Sequence, residues 1–168
     1  MNFQFYLEKL FGSKEFEAFK KDNPDAYPCS CFFGKDLENL KNPDDKQHID
    51  YFVPSIKKIF SFKLEEGVNL VPVELMGDEA PGKIALNYNF EFDDIEDLIL
   101  RRMEEEGVAE KVQKILLSMQ NSEGKDYLVG TAFLSKMGLL KLSVDVSEMK
   151  IVDFEKKSFL DIMGIFKK

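Results

Sequence analysis

The chain has no tryptophan, one histidine and only two cysteines, and each scarcity removes a class of chemistry. With His48 as the sole imidazole, any histidine-dependent mechanism must run through it. Cys29 and Cys31 form a C-x-C pair. In a strand this spacing puts both thiols on one face, and a disulfide across so small a ring is strained. Two reduced cysteines suit a cytoplasmic protein. The same spacing is poor for structural zinc, and no second pair follows, so no metal is expected. No G-x-G-x-x-G or G-x-x-x-x-G-K-S/T loop occurs, which leaves nucleotide binding through such loops unsupported and no cofactor expected.

Long apolar runs and basic runs are missing too. No apolar stretch approaches 18 residues, so a transmembrane segment is not expected. Residues 1–12 lack a basic region followed by an apolar run, so no signal peptide is expected either. The net charge is −8, and no cluster of Lys or Arg with interleaved aromatics appears. Nucleic-acid binding, which needs a basic face, is therefore set aside.

What the chain does have is phenylalanine, sixteen of them, which points to a phenyl-rich core. Its 168 residues suit one domain, 1–168, able to bury a sizeable core. The longest helical periodicity runs from Phe92 to Gln120. Ile95, Leu98, Ile99 and Met103 share one face; Val108, Val112, Ile115, Leu116 and Met119 share another. On a continuous helix the stripes would be rotated by about 130°. Two helices, 93–106 and 108–120, are therefore expected, broken at Gly107. Asp93 reads as the N-cap with Glu96 as capping-box partner. Asp97 with Arg101 and Glu110 with Lys114 read as i, i+4 pairs. Glu104, Glu105 and Glu106 oppose the helix macrodipole and read as a solvated face, or as waiting for a cation.

Residues 2–22 read as two helices split at Gly12-Ser13, with Ser13 as the second cap. Strands are expected over AYPCSCFFG, QHIDYFV, SIKKIFSFKLEEG, NLVPVELMG, KIALNYNFEF and DYLVGTAFLS, then a hairpin of GLLKLSVDV and MKIVDFEKK. Pro28, Pro54 and Pro72 should sit at edges, bulges or strand starts. The fold class is α+β: an antiparallel sheet with helices packed mainly on one face. The order of elements allows two α-β-β-β half-repeats, 1–90 and 91–168, with Asp25–Phe33 laid on Lys125–Phe133.

The final hairpin, KLSVDVSEMKIVDF, resembles the PepSY type of small α+β domain. The residues carrying the likeness are Val144, Asp145 and Val146, then Ile151 and Val152. Ser147-Glu148-Met149 replaces that family's usual Thr-Gly turn, and Tyr127 is the aromatic start of the preceding strand. The likeness covers the last 60 or so residues, or both halves if the repeat holds. It implies a binding or inhibitory module, of a kind found outside the cytoplasm near peptidases. Cystatin-like and NTF2-like folds have the same string of elements.

Candidate chemistry is sparse. A thiol enzyme would use Cys29 or Cys31 as nucleophile, His48 as base and Asp50 as its orienter. Cysteine in an apolar strand beside Phe32-Phe33 reads better as a small hydrophobe. Asp93, Asp94, Glu96 and Asp97 lack the glycine-bearing loop of a calcium site. The favoured function is a non-enzymatic binding or interaction module, with a protein partner or homodimer. Its candidate contacts are an N-terminal stripe (Phe3, Tyr6, Phe11) and an apolar C-terminal segment (Phe159, Ile162, Met163, Phe166). The rival is a small-molecule carrier or enzyme with a pocket between sheet and helices, lined by Phe60, Phe62, Tyr88 and Phe90.

Overall fold

A computed structural model describes residues 2–75, 77–158, 160, 163 and 164. The first helix, α1 (Phe3–Phe11), starts where the Asn2 side chain accepts from the Gln4 amide at 2.7 Å. Phe3, Tyr6, Leu7 and Leu10 recur at helical spacing and are all buried. Gly12 closes that helix, and Ser13 opens α2 (Lys14–Asp22) by accepting from the Phe16 amide at 3.1 Å. Phe19 is the buried anchor of this second helix.

Four strands follow: β1 (Tyr27–Asp36), β2 (Lys46–Val53), β3 (Lys58–Lys63) and β4 (Asn69–Val73). Then come α3 (Phe92–Glu105) and four more strands: β5 (Val112–Ser122), β6 (Lys125–Leu134), β7 (Gly138–Asp145) and β8 (Lys150–Ser158). All eight join one antiparallel sheet in the order β4-β3-β2-β1-β5-β6-β7-β8. The expected α+β class, with helices on one face, is the architecture found. Phe3, Leu7, Phe19, Ile95 and Ile99 from the helices share one core with Cys31, Phe33, Ile49, Leu117 and Leu128 from the strands.

That core is largely phenyl. Phe3 stacks on Phe90 at 4.9 Å, Phe33 meets Phe92 at 4.5 Å, and Phe19 meets Phe62 at 5.1 Å. Such offset and edge-on pairs add stability beyond the area they bury.

Several expectations need correction. Residues 108–120 are not a helix: the chain from Val112 onward is β5, a central strand. Gly107 does end α3, at φ +70°, and the Val108 amide donates to Met103 O while the Gly107 amide donates to Glu104 O, a Schellman close. The cap of α3 is Glu91 rather than Asp93, and Asp93 and Glu96 both accept from Lys35 Nζ instead of forming a capping box. Glu110 pairs with Lys156 and Lys114 with Asp44, so neither serves a helical i, i+4 contact. On α3 the i, i+4 ion pair is Arg102 with Glu106, at 3.0 Å, which gives one of the three C-terminal glutamates its cation.

Residues 83–90 are not a strand either. Ile84 and Phe90 are buried, and Leu86 and Tyr88 pack on the core, so the two-residue period is present. The segment runs beside the start of β1, where the Ile84 amide donates to Pro28 O at 3.0 Å, without extending into a ladder. Each half holds four strands, not three. The strand occupying the β1 position in the second half is β5, so laying Asp25–Phe33 on Lys125–Phe133 matches β1 with β6, a strand in a different place. The prolines fall as expected: Pro28 beside a bulge, Pro54 just after β2, Pro72 in an edge strand.

Candidate functional site

Between the helices and the sheet lies a cleft of about 120 Å³. Tyr6 of α1, Phe92 and Ile95 of α3, Phe33 of β1, and Ile115 and Leu117 of β5 supply its apolar walls. Lys35, Asp45, Lys46, Gln47, Asp93 and Glu96 supply its polar lining. Strand alternation explains the mix. Phe33 and Lys35 point to the helix side of β1, as do Ile115 and Leu117 on the paired β5. The helices are short, so near the ends of these strands the sheet is only partly roofed.

The charges of the cleft are mostly paired. Lys35 Nζ lies 2.9 Å from Asp93 Oδ1 and 2.7 Å from Glu96 Oε2. Partial burial works against its charge, but the hydrogen bonds it donates to Glu96 and Asp93 prevail and raise its pKa. The same lysine lowers the pKa of Asp93, through its hydrogen bond and its charge. Lys46 Nζ is 2.6 Å from Asp44 Oδ1. Asp45 differs. Its Oδ1 accepts the Asp36 amide at 2.8 Å, but among the described residues no cation pairs with it. Tyr6 has its pKa pushed up to about 12, by burial first and then by the negative charges of Asp45 and Glu65. Gln47 is 9% exposed as a residue, and its side-chain amide, which makes no hydrogen bond to another described residue, is open to solvent.

The sequence-derived contacts are placed differently from one another. Phe3 is fully buried and fills the core. Tyr6 is 3% exposed and forms a cleft wall. Phe11 and Met163 are exposed. Phe159, Ile162 and Phe166 lie outside the described residues. The four aromatics expected to line a pocket pack elsewhere. Phe62 and Phe90 are buried, Phe60 packs on Phe19 at 5.5 Å, and the Tyr88 hydroxyl donates to Asp126 Oδ2 at 2.8 Å.

No thiol dyad is assembled. Cys31 is buried on the helix side of β1 and pairs across to Ile49, so the adjacent His48 points to the opposite face. There His48 Nε2 lies 2.8 Å from Glu65 Oε1, and its ring lies against Phe32. The Cys29 thiol donates to the Asp50 backbone carbonyl at 3.5 Å, and the Asp50 carboxylate accepts from Ser30 Oγ at 2.6 Å. Burial, then the Asp50 charge, pushes the Cys29 thiol up to about 12 and Cys31 well above its ordinary value. Neither is a thiolate near neutrality, so neither is poised as a nucleophile. Among the described residues, no group of three or more His, Cys, Asp or Glu side chains could hold a metal ion.

The far face of the sheet carries a second, wider concavity of about 410 Å³, with Phe32, Leu116, Val129, Thr131, Lys141 and Asp153 along it. No helix of the described residues is long and apolar enough to cross a membrane.

The cleft residues come from five elements far apart in sequence, and no local motif links them. Asp45 and Gln47 read as a loop end and a strand start, and nothing in their neighbours marks a site. The one usable signal was the acidic opening of α3, which the sequence attributes to the helix dipole.

No protein-family model matches the chain, and no curated protein matches it. The fold is shared with a solved structure, that of a putative lipoprotein from Clostridium difficile 630. It superposes with a TM-score of 0.58 over 85% of this chain and 90% of its own, at 14% identity. At that identity the likeness is one of fold alone.

Proposed function

We propose that this chain is a non-enzymatic binding module whose ligand site is the cleft beneath α1 and the start of α3. The observation that carries this reading is a cleft in a helix–sheet interior rich in aromatic rings. There apolar walls end in a polar mouth. A few placed polar groups over an apolar floor are the usual make-up of a ligand site. At about 120 Å³ it has room for a group several times the volume of a water molecule, about 30 Å³. The protonated thiols and the separation of Cys31 from His48 support a non-catalytic role.

The resemblance to PepSY domains, as binding or inhibitory modules, belongs to this proposal. So does a cytoplasmic address, supported by two free cysteines. The PepSY resemblance implies the other address, outside the cytoplasm. Cell fractionation decides between them: the proposal expects the cytosolic fraction. A second reading, a partner-protein or homodimer contact, draws on Phe11 and Met163, which stand 48% and 56% exposed.

The test is a thermal-shift screen of small organic fragments against the wild type and Leu117→Phe, which fills the cleft floor. Fragments should raise the Tm of the wild type and leave the folded variant unmoved. Equal shifts in both, or none in either, overturn the reading.

A further inference from the structure

We propose that the ligand of this cleft is a small organic cation, an ammonium group on a short aliphatic body. This rests on the cleft being the binding site and adds the ligand's chemistry. Three observations converge on it. First, the cleft walls include three aromatic rings in mutual contact. Phe33 and Phe92 are 4.5 Å apart, and Tyr6 lies 6.2 Å from Phe33 and 6.1 Å from Phe92. Aromatic rings gathered around a cavity attract a cation through their quadrupoles.

Second, the charges do not balance. Asp93 and Glu96 hold Lys35, and Asp44 holds Lys46, while Asp45 has no cation among the described residues. Of the charged groups that line the cleft, three are acids, Asp45, Asp93 and Glu96, and two are lysines, Lys35 and Lys46. The chain as a whole carries −8, which also draws cations and repels anions.

Third, Gln47 lines the same cleft with its side-chain amide free of hydrogen bonds to other described residues and open to solvent. Its carbonyl oxygen can accept from an ammonium group, which carries up to three donors. An anion finds no free cation here, because both lysines are already engaged.

The test is a chemical-shift titration of methyl-labelled protein with n-butylammonium, 1-butanol and butyrate, which share nearly one shape and differ in charge. The expected result is movement of the Ile95 and Ile115 methyl signals with n-butylammonium, at an affinity about fivefold above that for butanol, the size of one partly exposed charge contact. Butyrate should move neither signal. Asp45→Asn, which can still accept the Asp36 amide, should abolish that margin, and Phe92→Leu should reduce it. Asp153→Asn, on the far face, should leave it intact. If butanol binds the cleft as well as the ammonium does, the cation is overturned and the cleft remains a binding site. If none of the three moves the cleft methyls, both readings fall. An unchanged margin in Asp45→Asn and Phe92→Leu also overturns the proposal. A capped lysine amide that binds more tightly than n-butylammonium assigns the cation to a polypeptide side chain; weaker binding assigns it to a free amine.

Discussion

Phe3 and the two cysteines show how much of a residue's role depends on what faces it. Phe3 reads in the sequence as part of an exposed contact stripe, because helical periodicity marks an apolar side without saying what covers it. In the fold it is fully buried, against Phe90 and Phe33. Phe3→Ala should cost about 3–5 kcal/mol, the range for removing a buried phenyl ring. Urea denaturation measures it, and a loss below about 1 kcal/mol would mean the ring is not in the core. The cysteines carry a pH prediction. Cys29 has an ordinary value of 9.0 and a folded value of about 12. The folded chain keeps this proton over a range where the unfolded chain gives it up. Its contribution to stability is therefore complete below pH 9 and lost as pH rises from there towards 12. Cys29→Ser should flatten that alkaline decline. In the native wild type, both thiols should react with a disulfide reagent at neutral pH only as fast as the protein opens.

At the scale of elements, the sequence was legible where pattern and partner agreed. Residues 26–34, 47–53 and 126–135 read as strands, and they have neighbouring strands to pair with. Residues 112–119 fit two periods at once. Val112, Ile115, Leu116 and Met119 satisfy a helical stripe, while Ile115, Leu117 and Met119 satisfy alternation. The adjacent Leu116 and Leu117 blur the choice. The sheet decides it: β5 sits between β1 and β6, where only a strand can close both ladders. The opposite failure occurs at residues 83–90, where alternation is clean but the contact with β1 is the Ile84–Pro28 backbone hydrogen bond rather than a ladder. Neither fact resides in the local sequence. The β5–β6 pair also carries a sharp prediction. A Cβ at Gly130 would press into Leu116 O and lie 2.6 Å from Leu117 Cδ2, and the backbone oxygen cannot step aside. Gly130→Ala should therefore destabilise by about 1–3 kcal/mol, as overpacking does. Thermal unfolding checks it, and an unchanged Tm would mean the two strands are less closely set than described.

For the whole molecule, one side of an eight-stranded sheet is covered by short helices, and the covering is incomplete at one end. Fold class was legible because composition and the order of periodicities constrain layers. The cleft was not, because Tyr6, Phe33, Asp45, Phe92 and Ile115 come together only after β1 and β5 pair across the middle of the chain. The acids at the start of α3 were visible, but their partner, Lys35, lies some sixty residues upstream. The measurement that tests the account most directly is a methyl NMR map of fragment binding to the intact chain. The account predicts shifts at Ile95 and Ile115 in the cleft, with Leu116 and Val129 on the far face unmoved. Shifts confined to Leu116 and Val129 would contradict it and place the binding surface on the open side of the sheet.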